Sequence, residues 1–340
     1  YHLDKKELKQ LGSEEIPTIY PTNEGDGDQF VGVTDYGKRV ESQWTGRTKK
    51  DIYAIDVNEG SFKLVKKDLK GMIAPSYISP SGKYIMWYDS KARHYFAWDG
   101  TTTRNISQKI KFPLWNEEED TPDDPGPYGV IGWSSGDSAV FVYDKFDAWR
   151  ISVNGAAAPV DITRTGRMRN TSFRYLRTDP EERFLTNGQK LIFRFFDEKK
   201  KSSGVCIATM GAGEPLLYSQ FSGDYAVAGL QKAKAADGMI YTTETYRSSP
   251  NLYFNKGEFA IQGTDAGMKR METSVQLSDI NPQQQEYNWG IAELYKWKAF
   301  TGKMAEGVLY KPENFDPTKK YPLILYFYET HSNTLHSYIP

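Results

Sequence analysis

The 340 residues carry 43 Lys and Arg against 44 Asp and Glu, a net charge of −1, and no basic stripe interleaves with aromatics, which excludes the electrostatic footprint of nucleic-acid binding. A single cysteine, Cys206, excludes an internal disulfide and any cysteine-based zinc cluster, and no apolar run reaches the ~18 to 20 residues that span a bilayer. Aromatic residues make up 14% of the chain, 23 of them tyrosine, a bias towards half-buried pleated strands rather than helices.

In chain order, Tyr1-His-Leu-Asp reads as the second strand of a hairpin without its first half, so the sequence is expected to begin inside a repeat. Turn signals containing glycine then recur at Gly37, Gly82, Gly136, Gly188 and Gly238, spaced 45, 54, 52 and 50 residues apart. Each is followed by a run rich in β-branched and aromatic residues, such as Tyr84–Tyr88, Ala139–Tyr143, Leu191–Phe195 and Met239–Thr243. A second strand follows each run, opening near Tyr53, Phe96, Trp149, Cys206 and Leu252; these pairs are expected to be the outer hairpins of successive blades. A period near 50 residues with several antiparallel strands predicts an all-β chain, a β-propeller of about five to six four-stranded blades. The alternatives of an open, partial propeller and a closed five- or six-bladed ring both stand.

Within this grid, Trp115-Asn-Glu117-Glu118-Glu119-Asp forms an acidic loop, a pattern that usually marks a solvated surface. Gly132-Trp-Ser134-Ser-Gly136 fits the G-x-S-x-G nucleophile elbow, but an elbow needs a strand before it and a helix after it. Here Asp137–Tyr143 reads as a strand and the motif sits on the repeat grid, so Ser134 is expected to be structural. His2, His94, His331 and His336 show no metal-ligand spacing, and no Ser…Asp…His order is available for a triad. No cofactor or metal is expected. Cys206, within Gly204-Val-Cys-Ile-Ala, reads as a small buried residue. Asn105-Ile-Ser and Asn170-Thr-Ser fit the glycosylation sequon, which matters only in a eukaryotic secretory setting.

The grammar changes at Trp297. Gly302-Lys-Met-Ala-Glu-Gly-Val-Leu-Tyr-Lys-Pro-Glu-Asn-Phe-Asp-Pro-Thr-Lys-Lys-Tyr-Pro-Leu-Ile-Leu-Tyr-Phe-Tyr328 resembles the start of the α/β-hydrolase domain in the prolyl oligopeptidase family of serine peptidases, which includes dipeptidyl and acylaminoacyl peptidases. There a G-x-L-x-x-P strand leads through a K-Y-P turn into an apolar strand. The resemblance implies a propeller over residues 1–295 and the first strands of a truncated hydrolase domain over 296–340, with the nucleophile, acid and base outside this chain. It implies that Tyr328 donates a hydrogen bond to the oxyanion, although Glu329-Thr-His departs from the small or Gly-rich turn of many relatives. In the dipeptidyl branch an acidic pair before a W-S-P-x-G turn holds the substrate's amino terminus, which implies that role for Glu117 and Glu118 across a longer connection. The implied function is a non-catalytic propeller that gates and positions short peptides, the partners being peptide substrates and the catalytic domain of the same polypeptide. Two other readings remain: a stand-alone propeller acting as a binding or scaffold module, and a hydrolase homologue without a triad.

Overall fold

The computed structural model describes residues 1, 4–210, 217–236, 238–256 and 274–339. They form five four-stranded antiparallel sheets and one two-stranded hairpin. Sheet one comprises β1 (Thr18–Tyr20), β2 (Gln29–Thr34), β3 (Lys50–Asp56) and β4 (Phe62–Leu69). Sheet two comprises β5 (Gly71–Met72), β6 (Ile85–Asp89), β7 (His94–Trp98) and β8 (Thr103–Asn105), and sheet three β9 (Val130–Trp133), β10 (Ala139–Tyr143), β11 (Ala148–Ser152) and β12 (Val160–Asp161). Sheet four comprises β13 (Thr171–Tyr175), β14 (Lys190–Asp197), β15 (Ser203–Thr209) and β16 (Leu217–Gly223), and sheet five β17 (Ala226–Lys232), β18 (Gly238–Thr245), β19 (Ser248–Lys256) and β20 (Ser274–Gln276). The hairpin pairs β21 (Ile291–Lys298) with β22 (Met304–Lys311). In every sheet consecutive strands are neighbours, the meander that serves as a propeller blade.

The chain divides into two compact units. The first holds Tyr1–Arg164, Glu181–Gln189 and Met210–Pro215, and the second Thr165–Pro180, Lys190–Thr209 and Leu216–Pro340. In the first unit one apolar cluster runs from Val31 and Ile52 of sheet one through Ile85–Tyr88 of sheet two to Val140, Val142 and Ile151 of sheet three. Ala139, Val140, Phe141 and Val142 are all fully buried, so β10 reads as a continuous apolar run rather than an alternating one, as a strand covered on both faces does. Burial of the Val140, Phe141 and Val142 side chains contributes about 1.5–3 kcal/mol each. In the second unit Ile192, Val205, Ile207, Val227, Met239 and Tyr241 form the core of sheets four and five.

The glycine turns mark the approach to the second strand of each sheet. Gly82, Gly136 and Gly188 have φ of +79°, +72° and +81°, backbone that side chains other than glycine rarely adopt, and Gly238 opens β18 itself. Two expectations are corrected. The strand after each glycine does pair with the next one, as Ile85↔Trp98, Ala139↔Ser152, Leu191↔Ala208 and Met239↔Asn255 show, but these strands are second and third of four, so each hairpin is central rather than outer. Gly37 lies beyond β2 in the β2–β3 connection, and the matching turn of sheet one precedes β2 at Asn23–Gly27. Gly37 meets a left-handed requirement (φ +73°) in a different turn, which a count of glycines does not distinguish.

At the amino terminus, His2 and Leu3 of the expected partial strand lie outside the described residues, and Asp4–Lys6 forms a turn. At the other end β22 forms as expected, whereas Leu323–Tyr328 joins no ladder among the described residues. Its side chains are 73–93% exposed, because a single strand gains stability only from a neighbour. The anticipated boundary at 295/296 falls inside β21.

Candidate functional site

Glu117 and Glu118 lie on the connection between sheets two and three, in the first unit. The loop is closed at its base by an antiparallel bridge between Trp115 and Pro127 and by Asn116 N donating to Gly126 O at 2.8 Å. Tyr88, buried in β6, donates from Oη to Pro125 O at 3.2 Å. The descending arm is held by charge: Arg47 and Lys70 both reach Asp123 at 2.7 Å, and Lys70 reaches Asp124 at 3.1 Å. On the tip, Glu117 N donates to Tyr128 Oη at 2.8 Å, and Glu118 is ion-paired with Lys145 at 2.5 Å. Glu119 accepts from the Thr121 hydroxyl, which holds its carboxyl below the usual range. The sequence-predicted pair therefore sits on a stapled, exposed loop, with one carboxylate already facing a cation.

Ser134 occupies a turn, not an elbow. The β9–β10 connection contains a three-residue 3-10 turn and leads directly into a strand. Ser134 Oγ accepts from Ala139 N at 2.8 Å and lies 3.0 Å from Ser138 Oγ. The same geometry recurs one sheet earlier, where Ser79 Oγ accepts from Tyr84 N at 2.9 Å. In both turns the backbone closes with the same spacing, Ser79 N to Tyr84 O at 3.0 Å and Ser134 N to Ala139 O at 2.8 Å, and Ala233 N to Gly238 O repeats it at 2.8 Å. A hydroxyl that satisfies a turn in successive repeats is a structural device.

Tyr328 belongs to the second unit. Its side chain is 77% exposed, and its ring stands edge-on to His331, with centroids 6.3 Å apart. The neighbouring anchor is Lys201, at the β14–β15 turn. Lys201 is buried and reaches Glu306 of β22 at 2.6 Å and Asn333 Oδ1 at 3.1 Å. Ser332 Oγ also donates to Glu306, at 3.0 Å, and His336 Nε2 lies 2.9 Å from Lys200 O. Burial pulls the Glu306 carboxyl up, but the Lys201 ammonium and the Ser332 hydroxyl more than offset this and hold it below its ordinary value. Nothing in the spacing of Lys201 and Glu306 along the chain marks this clamp.

Cys206 is buried in β15 and burial pushes its thiol well up, so it is a packing residue and not a nucleophile. His94 faces Ser107 Oγ at 3.1 Å. No group of three or more His, Cys, Asp or Glu side chains among the described residues is arranged to hold a metal ion, and no described helix is long and apolar enough to cross a membrane.

No protein-family model and no curated protein sequence matches the chain. Among solved structures, prolyl oligopeptidase B from Galerina marginata, bound to a 25mer macrocyclization substrate, aligns with a TM-score of 0.43 and 12% identity over 89% of this chain and 40% of that one. Dipeptidyl peptidase 4 from Porphyromonas gingivalis aligns with a TM-score of 0.50 and 13% identity over 93% of this chain and 45% of that one. The chain thus spans less than half the length of either structure, and its likeness to the Porphyromonas gingivalis dipeptidyl peptidase is one of fold, an all-β array of four-stranded blades.

Proposed function

We propose that this chain is the propeller region of a serine peptidase of the prolyl oligopeptidase family, with residues 1–295 as propeller and 296–340 as the start of the hydrolase domain. The propeller restricts access to the active site and positions short peptides. The observation that carries this reading is the Lys320-Tyr-Pro-Leu-Ile-Leu-Tyr-Phe-Tyr328 segment following five meander sheets whose fold is similar to a dipeptidyl peptidase. In this reading Tyr328 Oη donates to the oxyanion of the tetrahedral intermediate, where a fixed donor is worth on the order of 3 kcal/mol in the transition state. Glu117 and Glu118 face the substrate ammonium, and Lys145 holds Glu118 in one rotamer until that ammonium competes for it.

The test uses the full-length protein. A G-x-S-x-G serine, an aspartate and a histidine are expected in that order downstream of Tyr328, and their absence selects a stand-alone propeller or a hydrolase homologue without a triad. Tyr328→Phe should lower kcat about 10²- to 10³-fold at little change in KM; an unchanged kcat removes Tyr328 from the site. Glu118→Gln should raise KM for dipeptide amides with a free amino terminus and leave N-acylated ones unaffected. An equal effect on both removes the anchor.

A further inference from the structure

In the second unit the start of β19 and the segment 279–289 before β21 enclose a cleft of about 340 Å³. Its walls are cross-bonded. Gln284 is buried and uses both ends of its amide, accepting from Ser249 N at 3.1 Å and donating to Arg247 O at 2.5 Å. Ser249 Oγ donates to Ile280 O at 2.6 Å, and the Asn251 side-chain carbonyl accepts from Ile280 N at 2.8 Å and from Ser278 Oγ at 3.1 Å. These bonds shape the cleft without filling it.

Among the groups lining the cleft are two charges of opposite sign and an amide donor. Asn251 lines the cleft with its side-chain carbonyl bonded into the wall, while its Nδ2 group has no hydrogen-bond partner among the described residues and is open to the cleft. Arg247 lines the same cleft; its Nε donates to Gly290 O at 2.9 Å, which fixes the guanidinium plane while its two terminal NH2 groups have no partner among the described residues. Asp279 completes the lining, with no cation within 4.0 Å among the described residues. Arginine and aspartate thus share one cleft without pairing to each other.

We propose that this cleft binds a small zwitterion, a free amino acid or a dipeptide, whose carboxylate meets the Arg247 guanidinium and the Asn251 amide and whose ammonium faces Asp279. Arginine's fork suits a carboxylate bidentately, and the volume lies at the small end of ligand pockets. Ligand-observed NMR titrations with glycine and glycylglycine test the proposal. Saturable binding is expected, and the tighter of the two sets the ligand length. Glycylglycine amide, N-acetylglycylglycine, Arg247→Gln and Asp279→Asn should each weaken glycylglycine-type binding by about tenfold, the worth of one charge-assisted contact. Both substitutions are at exposed positions, and an unchanged melting temperature verifies their fold. Absence of saturable binding by either zwitterion, or binding that survives any one of the four changes, overturns the proposal.

Discussion

Gly82 shows how one residue fixes a turn. Its φ is +79°, and a Cβ built there lies 2.8 Å from Thr22 Oγ1, whose hydroxyl is committed to Gln29 O at 2.5 Å. Gly82→Ala should therefore cost about 1–3 kcal/mol from the backbone alone, read as a lower urea midpoint. Asp161 carries a different liability. Burial pushes its carboxyl up to about 7, and the nearby charge of Asp147 adds to this. The folded state thus holds the proton more tightly than the unfolded state, so the stability linked to Asp161 is complete below about pH 4 and is lost as pH rises towards 7. Asp161→Asn keeps an acceptor for Thr163 N and Arg164 N, at 3.1 and 2.7 Å. Its Tm advantage over the parent should grow between pH 4 and 7.5; a constant difference across that range contradicts the assignment. At this scale the sequence was legible where spacing decides, as at Ser134, whose position on the repeat grid already opposed a catalytic role. It was silent where a partner more than a hundred residues away decides, as at Lys201.

The turn between the second and third strands repeats as faithfully as the glycine turn, and it went unread. Asp89 accepts from Lys91 N and Ala92 N, Asp144 from Phe146 N and Asp147 N, and Asp197 from Lys199 N and Lys200 N. Each aspartate follows its turn glycine by seven to nine residues, Gly82 to Asp89, Gly136 to Asp144 and Gly188 to Asp197, a drift that hides the period from a fixed-spacing search. The side chain closes an Asx-type turn that satisfies backbone donors at the hairpin tip. In sheet four this turn also delivers Lys201, in left-handed backbone at φ +59°, to Glu306. Removing one partner of a buried pair leaves a charge uncompensated. Glu306→Gln should cost about 3 kcal/mol, at the low end of that range because Glu198 remains 3.9 Å from Lys201. The loss should shrink at acidic pH, since the Glu306 carboxylate contributes only above its protonation range. Lys201→Met combined with Glu306→Leu should recover much of it, as chemical denaturation of the three proteins can show.

For the whole molecule, the repeat period was sufficient to specify an all-β blade array, because each blade is a local meander and local pairing writes itself into sequence spacing. The fate of Leu323–Tyr328 was not legible: its composition is that of a strand, and pairing depends on a neighbour. Six consecutive exposed apolar or aromatic side chains on a chain of net charge −1 and pI near 6.5 give little electrostatic protection against self-association. Light scattering should show association strongest near pH 6.5, and Ile324→Lys should reduce it; association independent of that residue assigns the sticky surface elsewhere.

The turns before the second strands also bind to one another. Asn23 N reaches Pro80 O at 2.9 Å, Ser81 N reaches Asp137 at 3.2 Å, Leu185 N reaches Trp133 O at 2.7 Å, and Arg183 returns to Asn23 Oδ1 at 2.6 Å and Glu24 at 3.0 Å. The last contact joins residues 160 apart, and the segment that makes it is reached only after the chain has left for the second unit and come back. During synthesis, sheets one to three therefore leave the ribosome with their turn network incomplete. The network of the first unit is therefore completed by residues 181–189, which follow sheets one to three in the chain, rather than blade by blade.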